Sequence, residues 1–179
     1  LEFGQVASIF LSTGTDKILI GNRIFATDSG QQLATLDWTI TQAKWTKWRY
    51  DDRQIVTIAN DGIARVWDVT TGQKLIDLSS ASSATWSKKG DKLLISSKDG
   101  TIRIWDMTIG YELPRLIGHE DQVWNAIWSK DGRKILTNSY DNTVRVWDAA
   151  SGQELLRLEI TTEENTFEGS WNQDGSKIL

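Results

Sequence analysis

The sequence predicts an all-β fold built from repeated four-stranded antiparallel units, and three observations carry this prediction. A Trp-Asp pair occurs at Trp67-Asp68, Trp105-Asp106 and Trp147-Asp148, with spacings of 38 and 42 residues. A second tryptophan precedes each of these pairs by 19 residues. No amphipathic helical period is long enough to compete with the short alternating strand patterns between them. A unit of about 40 residues is the period of a four-stranded propeller blade, so we predict a β-propeller architecture.

Turn residues divide each unit into four strands. The first strand ends at the earlier tryptophan, and a loop such as Ser129–Gly132 follows, in which glycine supplies the positive φ of a three-residue hairpin loop. A short apolar strand then leads to a two-residue turn, for example Asp141-Asn142. We expect first strands near 43–48, 83–86 and 123–128, third strands near 63–68, 101–106 and 143–148, and fourth strands that end at Leu78, Leu116 and Leu158.

The same template extends, with losses, over both ends of the chain. Near the start, Phe10 and Phe25 take the tryptophan positions, but they are 15 residues apart. Near the end, Trp171 opens a further unit that stops at Leu179. We therefore predict a partial set of about four and a half repeats. The predicted boundaries are a degenerate repeat at 1–36, full repeats at 37–78, 79–116 and 117–158, and a truncated repeat at 159–179.

Composition excludes several functional classes. Hydrophobic residues make up 39% of the chain, which supplies the apolar surface of a packed core. The net charge of −4 and the scattered lysines and arginines disfavour nucleic-acid binding. The chain has no cysteine and one histidine, so cysteine-ligated zinc and a multi-histidine metal site are excluded. Apolar runs are too short for membrane insertion, and the lack of cysteine permits a reducing compartment, so we expect a cytoplasmic location.

The recurring turn, strand and Trp-Asp pair resemble the WD-repeat (WD40) β-propeller family over almost the whole chain. The family's unit carries Gly-His near its start, an aspartate in the turn before the third strand, and Trp-Asp at that strand's end. Only one unit preserves all of these features. By resemblance, its residues His119, Ser139, Asp141 and Trp147 form the family's buried structural hydrogen-bond network.

A lone blade cannot bury both of its faces, so a ring of about four to eight blades is required. We expect sequence missing from this chain to complete the ring, and a partner chain is the alternative. The first is favoured because open sheet edges are normally avoided in mature proteins.

No catalytic apparatus is expected. His119 could serve as a general base near Asp121 or Asp141, but its place in a Gly-His pair favours a buried, hydrogen-bonded role. Asp61 and Asp99, like Asp141, lie in hairpin turns, where aspartate bonds local backbone. The sequence has no phosphate loop, nucleophile elbow or zinc spacing. We predict that the chain is not an enzyme and that it uses no cofactor or metal.

The resemblance also implies a binding face. In the family, partners commonly bind the face formed by the start of the first strand and by the residue before the turn aspartate. These residues differ in every unit, as a recognition surface on a repeating frame requires, although drift on a solvated rim gives the same pattern. The residues that fall there are Gln122, Trp124, Asn60, Lys98 and Tyr140.

Three tryptophans stand outside the repeating series and are interface candidates, because tryptophan is enriched at binding hot spots: Trp38, Trp45 and Trp124. Packing in the core is the alternative for each of them.

These inferences predict a non-catalytic interaction module that binds a protein or peptide, as a scaffold or sensor segment of a larger signalling protein. The alternative is a propeller that binds carbohydrate or another small ligand on exposed tryptophan rings. An enzyme would need catalytic residues from sequence outside this chain.

Overall fold

The computed structural model describes residues 9–37, 43–161 and 169–179. These residues form sixteen β-strands and no helix, so the described part of the chain has no helical segment able to cross a membrane. The chain divides into two compact units, Leu1–Ser79 (unit 1) and Ser80–Leu179 (unit 2). Each unit holds two four-stranded antiparallel sheets.

Unit 1 contains two sheets in which the strands follow one another in chain order. The first consists of β1 (Ile9–Leu11), β2 (Lys17–Ile20), β3 (Arg23–Ala26) and β4 (Gln32–Thr35). The second consists of β5 (Trp45–Trp48), β6 (Gln54–Ile58), β7 (Ala64–Asp68) and β8 (Lys74–Leu78).

Unit 2 repeats this arrangement. Its first sheet consists of β9 (Ala81–Trp86), β10 (Lys92–Ser97), β11 (Ile102–Asp106) and β12 (Tyr111–Glu112). Its second consists of β13 (Val123–Trp128), β14 (Lys134–Ser139), β15 (Thr143–Asp148) and β16 (Glu154–Glu159). Beyond β16, Trp171 and Ile178 form an isolated antiparallel bridge.

The predicted all-β architecture of four-stranded antiparallel blades is confirmed. The observed first and third strands start within two residues of the expected positions and end at the expected residues. One fourth strand differs, because β12 ends at Glu112 and Leu116 pairs with Ile102 only as an isolated bridge. Pro114 lies between them and has no N–H to donate to the ladder, which explains the interruption.

The hairpin loops have the backbone that the turn residues predict. Gly132, in the loop between β13 and β14, has a φ of 72°. Asn142, in the turn between β14 and β15, has a φ of 61°, a conformation that asparagine tolerates better than most residues. These two turns connect β13, β14 and β15.

Each unit has a core formed between its two sheets. In unit 2, Ile102 and Ile104 of β11 belong to one buried cluster with Trp128, Ile135 and Trp147 of the following sheet. These five side chains are at most 9% exposed. A single sheet would leave this apolar surface in water, so the two sheets stabilise each other by burying it.

Candidate interaction site

The turn between β14 and β15 is organised around the Asp141 carboxylate. Its Oδ1 accepts hydrogen bonds from the Thr143 backbone N–H (2.9 Å) and hydroxyl (2.7 Å). Its Oδ2 accepts from the Glu120 backbone N–H (3.1 Å) and the Arg145 guanidinium (3.2 Å), and it lies 2.8 Å from His119 Nδ1. Five donors therefore fix this one side chain and, with it, the turn.

His119 joins Asp141 to the core of the sheet. Its Nε2 lies 2.6 Å from the Thr137 hydroxyl, which also accepts a 2.9 Å hydrogen bond from the Trp147 indole N–H. The Thr137 hydroxyl then has one proton to donate, and its nearer acceptor is His119 Nε2 at 2.6 Å, since the Arg145 carbonyl oxygen lies 3.5 Å away. This geometry assigns the neutral tautomer in which Nδ1–H donates to Asp141. The result is a continuous path of hydrogen bonds from Trp147 through Thr137 and His119 to Asp141.

The pKa values of the two titratable groups agree with this assignment. Burial lowers the pKa of His119 and outweighs the hydrogen bond and the negative charge of Asp141, which raise it. Burial alone would raise the pKa of Asp141, but hydrogen bonds from Thr143, His119 and the Glu120 amide hold it well below its usual range. The folded state therefore favours neutral His119 beside ionised Asp141.

Sequence reasoning named Ser139 as the hydroxyl of this network, and the structure corrects that assignment. The hydroxyl that contacts His119 is Thr137. Ser139 lies two residues further along β14, where its Oγ donates to the carbonyls of Asp121 and Gln122 and accepts from the Asp141 N–H. Ser139 therefore supports the turn at its backbone, whereas Thr137 reaches the buried ring.

The position of Thr137 has a counterpart that the sequence could have revealed. Thr57 also stands ten residues before a Trp-Asp tryptophan, and its hydroxyl accepts a 2.9 Å hydrogen bond from the Trp67 indole. In the sheet β9–β12, the same place is taken by Ile95, and the buried Trp105 indole N–H has no hydrogen-bond partner. The network is thus fully built only in the sheet that holds His119.

Arg145 extends the network toward the outer strand. Its side chain is 3% exposed and pairs with both Asp141 (3.2 Å) and Glu154 of β16 (2.9 Å). Its Nε donates to the Thr143 hydroxyl at 3.0 Å. Gly118 lies against this pair, since a Cβ there would stand 2.8 Å from an Arg145 nitrogen. The strict fit explains why a glycine precedes His119.

Three predicted binding residues meet at the end of this sheet. The Tyr140 backbone N–H donates to the Gln122 carbonyl at 3.1 Å, so the turn and the start of β13 are joined. Trp124 is the extra residue of a β-bulge, because Val123 pairs with Ser139 and Asn125 with Asn138. A bulge redirects the side chain it contains. Tyr140 is 58% exposed, and Gln122 and Trp124 are half-buried.

Lys98 lies at the same end of the neighbouring sheet. It begins the turn between β10 and β11, and the backbone of that turn packs against the segment that leads into β13. Gly100 makes the contact, because a Cβ at this position would lie 2.6 Å from the His119 carbonyl oxygen and 3.1 Å from that of Asp121. The name turn-end surface is used below for Lys98, Asp99, Glu120, Asp121, Gln122, Trp124 and Tyr140.

The remaining predicted binding residues belong to unit 1. Asn60 is exposed in the turn between β6 and β7. Trp45 is half-buried and pairs with Ile58 at the start of β5. The turn-end surface is defined within unit 2 and does not include these two residues. Trp38, the third tryptophan outside the repeating series, lies outside the described residues.

The aspartates of the Trp-Asp pairs stabilise turns. Within the ranges that the structure describes, no group of three or more His, Cys, Asp or Glu side chains could hold a metal ion. Asp68, Asp106 and Asp148 of the Trp-Asp pairs each accept backbone N–H bonds from the turn that follows. Their hydrogen bonds stabilise turns between the third and fourth strands.

Comparison with known proteins agrees with this geometry. The sequence profile described as "WD domain, G-beta repeat" matches residues 75–106 and 110–148. Each match runs from the fourth strand of one sheet to the third strand of the next, so the sequence repeat is offset by one strand from the sheet. WD repeats generally serve as protein-interaction scaffolds and are generally non-catalytic.

Among solved structures, the chain is similar to the computationally designed Ika8 protein, with a TM-score of 0.69 and 25% sequence identity. The alignment covers 81% of this chain and 46% of the designed protein, so the chain spans about half of that protein's length. No curated protein sequence matches the chain. The two matched repeats, together with four sheets of four antiparallel strands each, support a WD-repeat family and a partial β-propeller.

Proposed function

We propose that the chain is a non-catalytic interaction module that binds a protein or peptide through the turn-end surface of unit 2. The observation that carries this proposal is the 58% exposure of Tyr140, a large aromatic residue, on a turn that is fixed from behind. Tyrosine at such a place supplies contact area at low conformational cost, which is why it is enriched at binding hot spots.

The turn is rigid for a reason that is visible in its contacts. Asp141 follows Tyr140 directly, and five donors hold the Asp141 carboxylate. The Tyr140 N–H is itself bonded to the Gln122 carbonyl. Binding of a partner therefore costs little conformational entropy in this turn, which favours a high affinity.

Packing does not explain the aromatic residues at these positions. The residues that correspond to Tyr140 in the other full repeats are Asn60 and Lys98, and the residue at the matching bulge in β9 is Ser82. The same fold is built there with polar side chains. The aromatic pair Trp124 and Tyr140 is therefore better explained by recognition than by stability.

Carbohydrate binding on exposed tryptophan rings is the second candidate, and the described residues favour it less. Nine of the ten tryptophans are described, and none of them is exposed by more than about a third. Ring stacking against a sugar needs an open tryptophan face, which a half-buried ring such as Trp124 offers only in part.

We further propose that the module is the scaffold or sensor segment of a larger, cytoplasmic signalling protein, whose remaining sequence or a partner chain completes the ring. The similarity to about half of a designed protein supports the first route to completion. Successive repeats are assigned to 1–36, 37–78, 79–116, 117–158 and 159–179, because the four sheets lie within these ranges to within one residue.

Selection of peptides from a random display library on the immobilised chain tests the proposal. Bound peptide should slow amide exchange at Gln122, Trp124 and Tyr140, and it should leave the loop around Gly132, at the opposite end of the same sheet, unchanged. The proposal fails if no peptide binds, or if protection appears only outside the turn-end surface.

A further inference from the structure

We propose that the turn-end surface selects a partner by a lysine or arginine side chain. This inference rests on the proposed function and specifies the chemistry of the partner. It starts from the charges of the surface, which are unequal. Asp99, Glu120 and Asp121 are exposed acidic residues, and Lys98 is the single exposed basic residue among them.

These charges are available to a partner. No ion pair within the described residues involves Lys98, Asp99, Glu120 or Asp121. The Asp121 carboxylate accepts one hydrogen bond, from the Gln122 N–H at 2.6 Å, and this leaves its second oxygen free. Burial raises the pKa of Asp99, but hydrogen bonds from Thr101 and the charge of Arg103 outweigh it and hold the pKa below its usual value, so Asp99 stays ionised.

Two buried arginines lie behind the turns of this surface. Arg103 acts by its charge on Asp99, whereas Arg145 pairs with Asp141 and Glu154, which are not part of the surface. His119 is buried and neutral beside Asp141. The exposed face therefore keeps two more negative than positive charges, which attract a cationic partner.

Two aromatic residues, Tyr140 and Trp124, belong to the same turn and strand start as these carboxylates. Tyr140 is joined through its backbone to Gln122, the residue that follows Asp121, and Trp124 lies two residues further along the chain. A cationic side chain prefers the face of a tyrosine or tryptophan ring together with a carboxylate at its charged end. Acidic or purely apolar peptides can contact the aromatic rings, but they gain no affinity from the carboxylates.

The same geometry gives the aliphatic part of the partner side chain a place to lie. Lysine and arginine bury their methylene stems along apolar surface while the charged group remains hydrated. The half-buried Trp124 ring offers that apolar surface, and the exposed Glu120 and Asp121 lie at the adjoining end of the connector. One side chain of the partner therefore satisfies both features of the site.

The test uses the peptides selected from a random library on the intact chain. We expect a lysine or arginine at one fixed position of the selected sequences. Replacement of that residue by norleucine should weaken binding about 2- to 20-fold at low salt, and added salt should remove most of the difference. The double variant Glu120→Gln, Asp121→Asn should weaken binding of the parent peptide by a similar factor and leave binding of the norleucine peptide unchanged.

A matched control separates this effect from a change in net charge. The double variant Asp28→Asn, Asp37→Asn removes two exposed carboxylates in unit 1 and should leave the affinity unchanged. If selected peptides contain no basic residue and still protect Tyr140 and Trp124 from exchange, the cationic preference is wrong while the binding surface stands. If the basic peptides bind but protect neither aromatic residue, the proposed function itself is wrong.

Discussion

Replacement of Thr137 by valine tests the hydrogen-bond path at its central atom. Thr137 is fully buried, and its hydroxyl serves both the Trp147 indole N–H and His119 Nε2. Valine has the same branched shape, so the change removes the hydroxyl without leaving a large cavity. Two buried polar atoms lose their partner, at about 1–3 kcal/mol for each. Summed over both atoms, we expect the free energy of unfolding of this sheet to fall by about 2–6 kcal/mol.

The chain contains a matched control for this prediction. Thr57→Val removes a hydroxyl that is equally buried and accepts an indole N–H from Trp67, but no histidine contacts it. We expect this variant to lose about 1–2 kcal/mol. Amide hydrogen exchange is the suitable assay, because it reports the local stability of β6–β7 and β14–β15 separately. A loss for Thr137→Val no larger than the loss for Thr57→Val would contradict the reasoning.

Three further predictions concern pH, a turn and an anchor. Because burial lowers the pKa of His119, the unfolded chain binds a proton at a pH where the folded chain does not. The free energy of unfolding should therefore fall as the pH drops below about 6.5. In urea titrations, His119→Gln should remove this dependence on pH. Gly100→Ala should lower the melting temperature more than Gly132→Ala. Both glycines have positive φ, but only Gly100 faces a backbone oxygen at 2.6 Å, and equal shifts would contradict this. The Asn138 side-chain amide donates to the Gly169 carbonyl (3.1 Å) and accepts from the Gly169 N–H (2.7 Å), so Asn138 anchors the segment after β16. Asn138→Ala should therefore abolish exchange protection of the Gly169 amide. Retained protection would show that Asn138 does not anchor this segment.

Much of the fold could be predicted from the sequence because its strongest signals are local. Glycine and asparagine in the turns require positive φ, and the observed φ of 72° at Gly132 and 61° at Asn142 reflects that requirement. Tryptophans at a fixed spacing mark the ends of the first and third strands. The interrupted fourth strand was the exception, since the effect of Pro114 on pairing depends on which edge of the strand faces its neighbour.

The site was less predictable, because its contacts join residues that are far apart in the chain. The choice between Thr137 and Ser139 depends on how far the His119 ring reaches into the sheet, which no spacing reveals. The recurrence of threonine ten residues before Trp67 and Trp147 was the available signal. The bulge that holds Trp124 was likewise invisible in the sequence, because an extra residue in one strand is defined only by its pairing partner.

The central claim is that Tyr140 is kept for recognition and contributes little to stability. The most direct test measures peptide affinity and melting temperature together for Tyr140→Ala and for Tyr111→Ala, a control in the same unit at a residue that is 71% exposed. We predict that Tyr140→Ala weakens binding by about 2 kcal/mol or more and leaves the melting temperature unchanged, while Tyr111→Ala changes neither. Unchanged affinity for Tyr140→Ala, or a loss of affinity that only follows a loss of stability, would contradict the account.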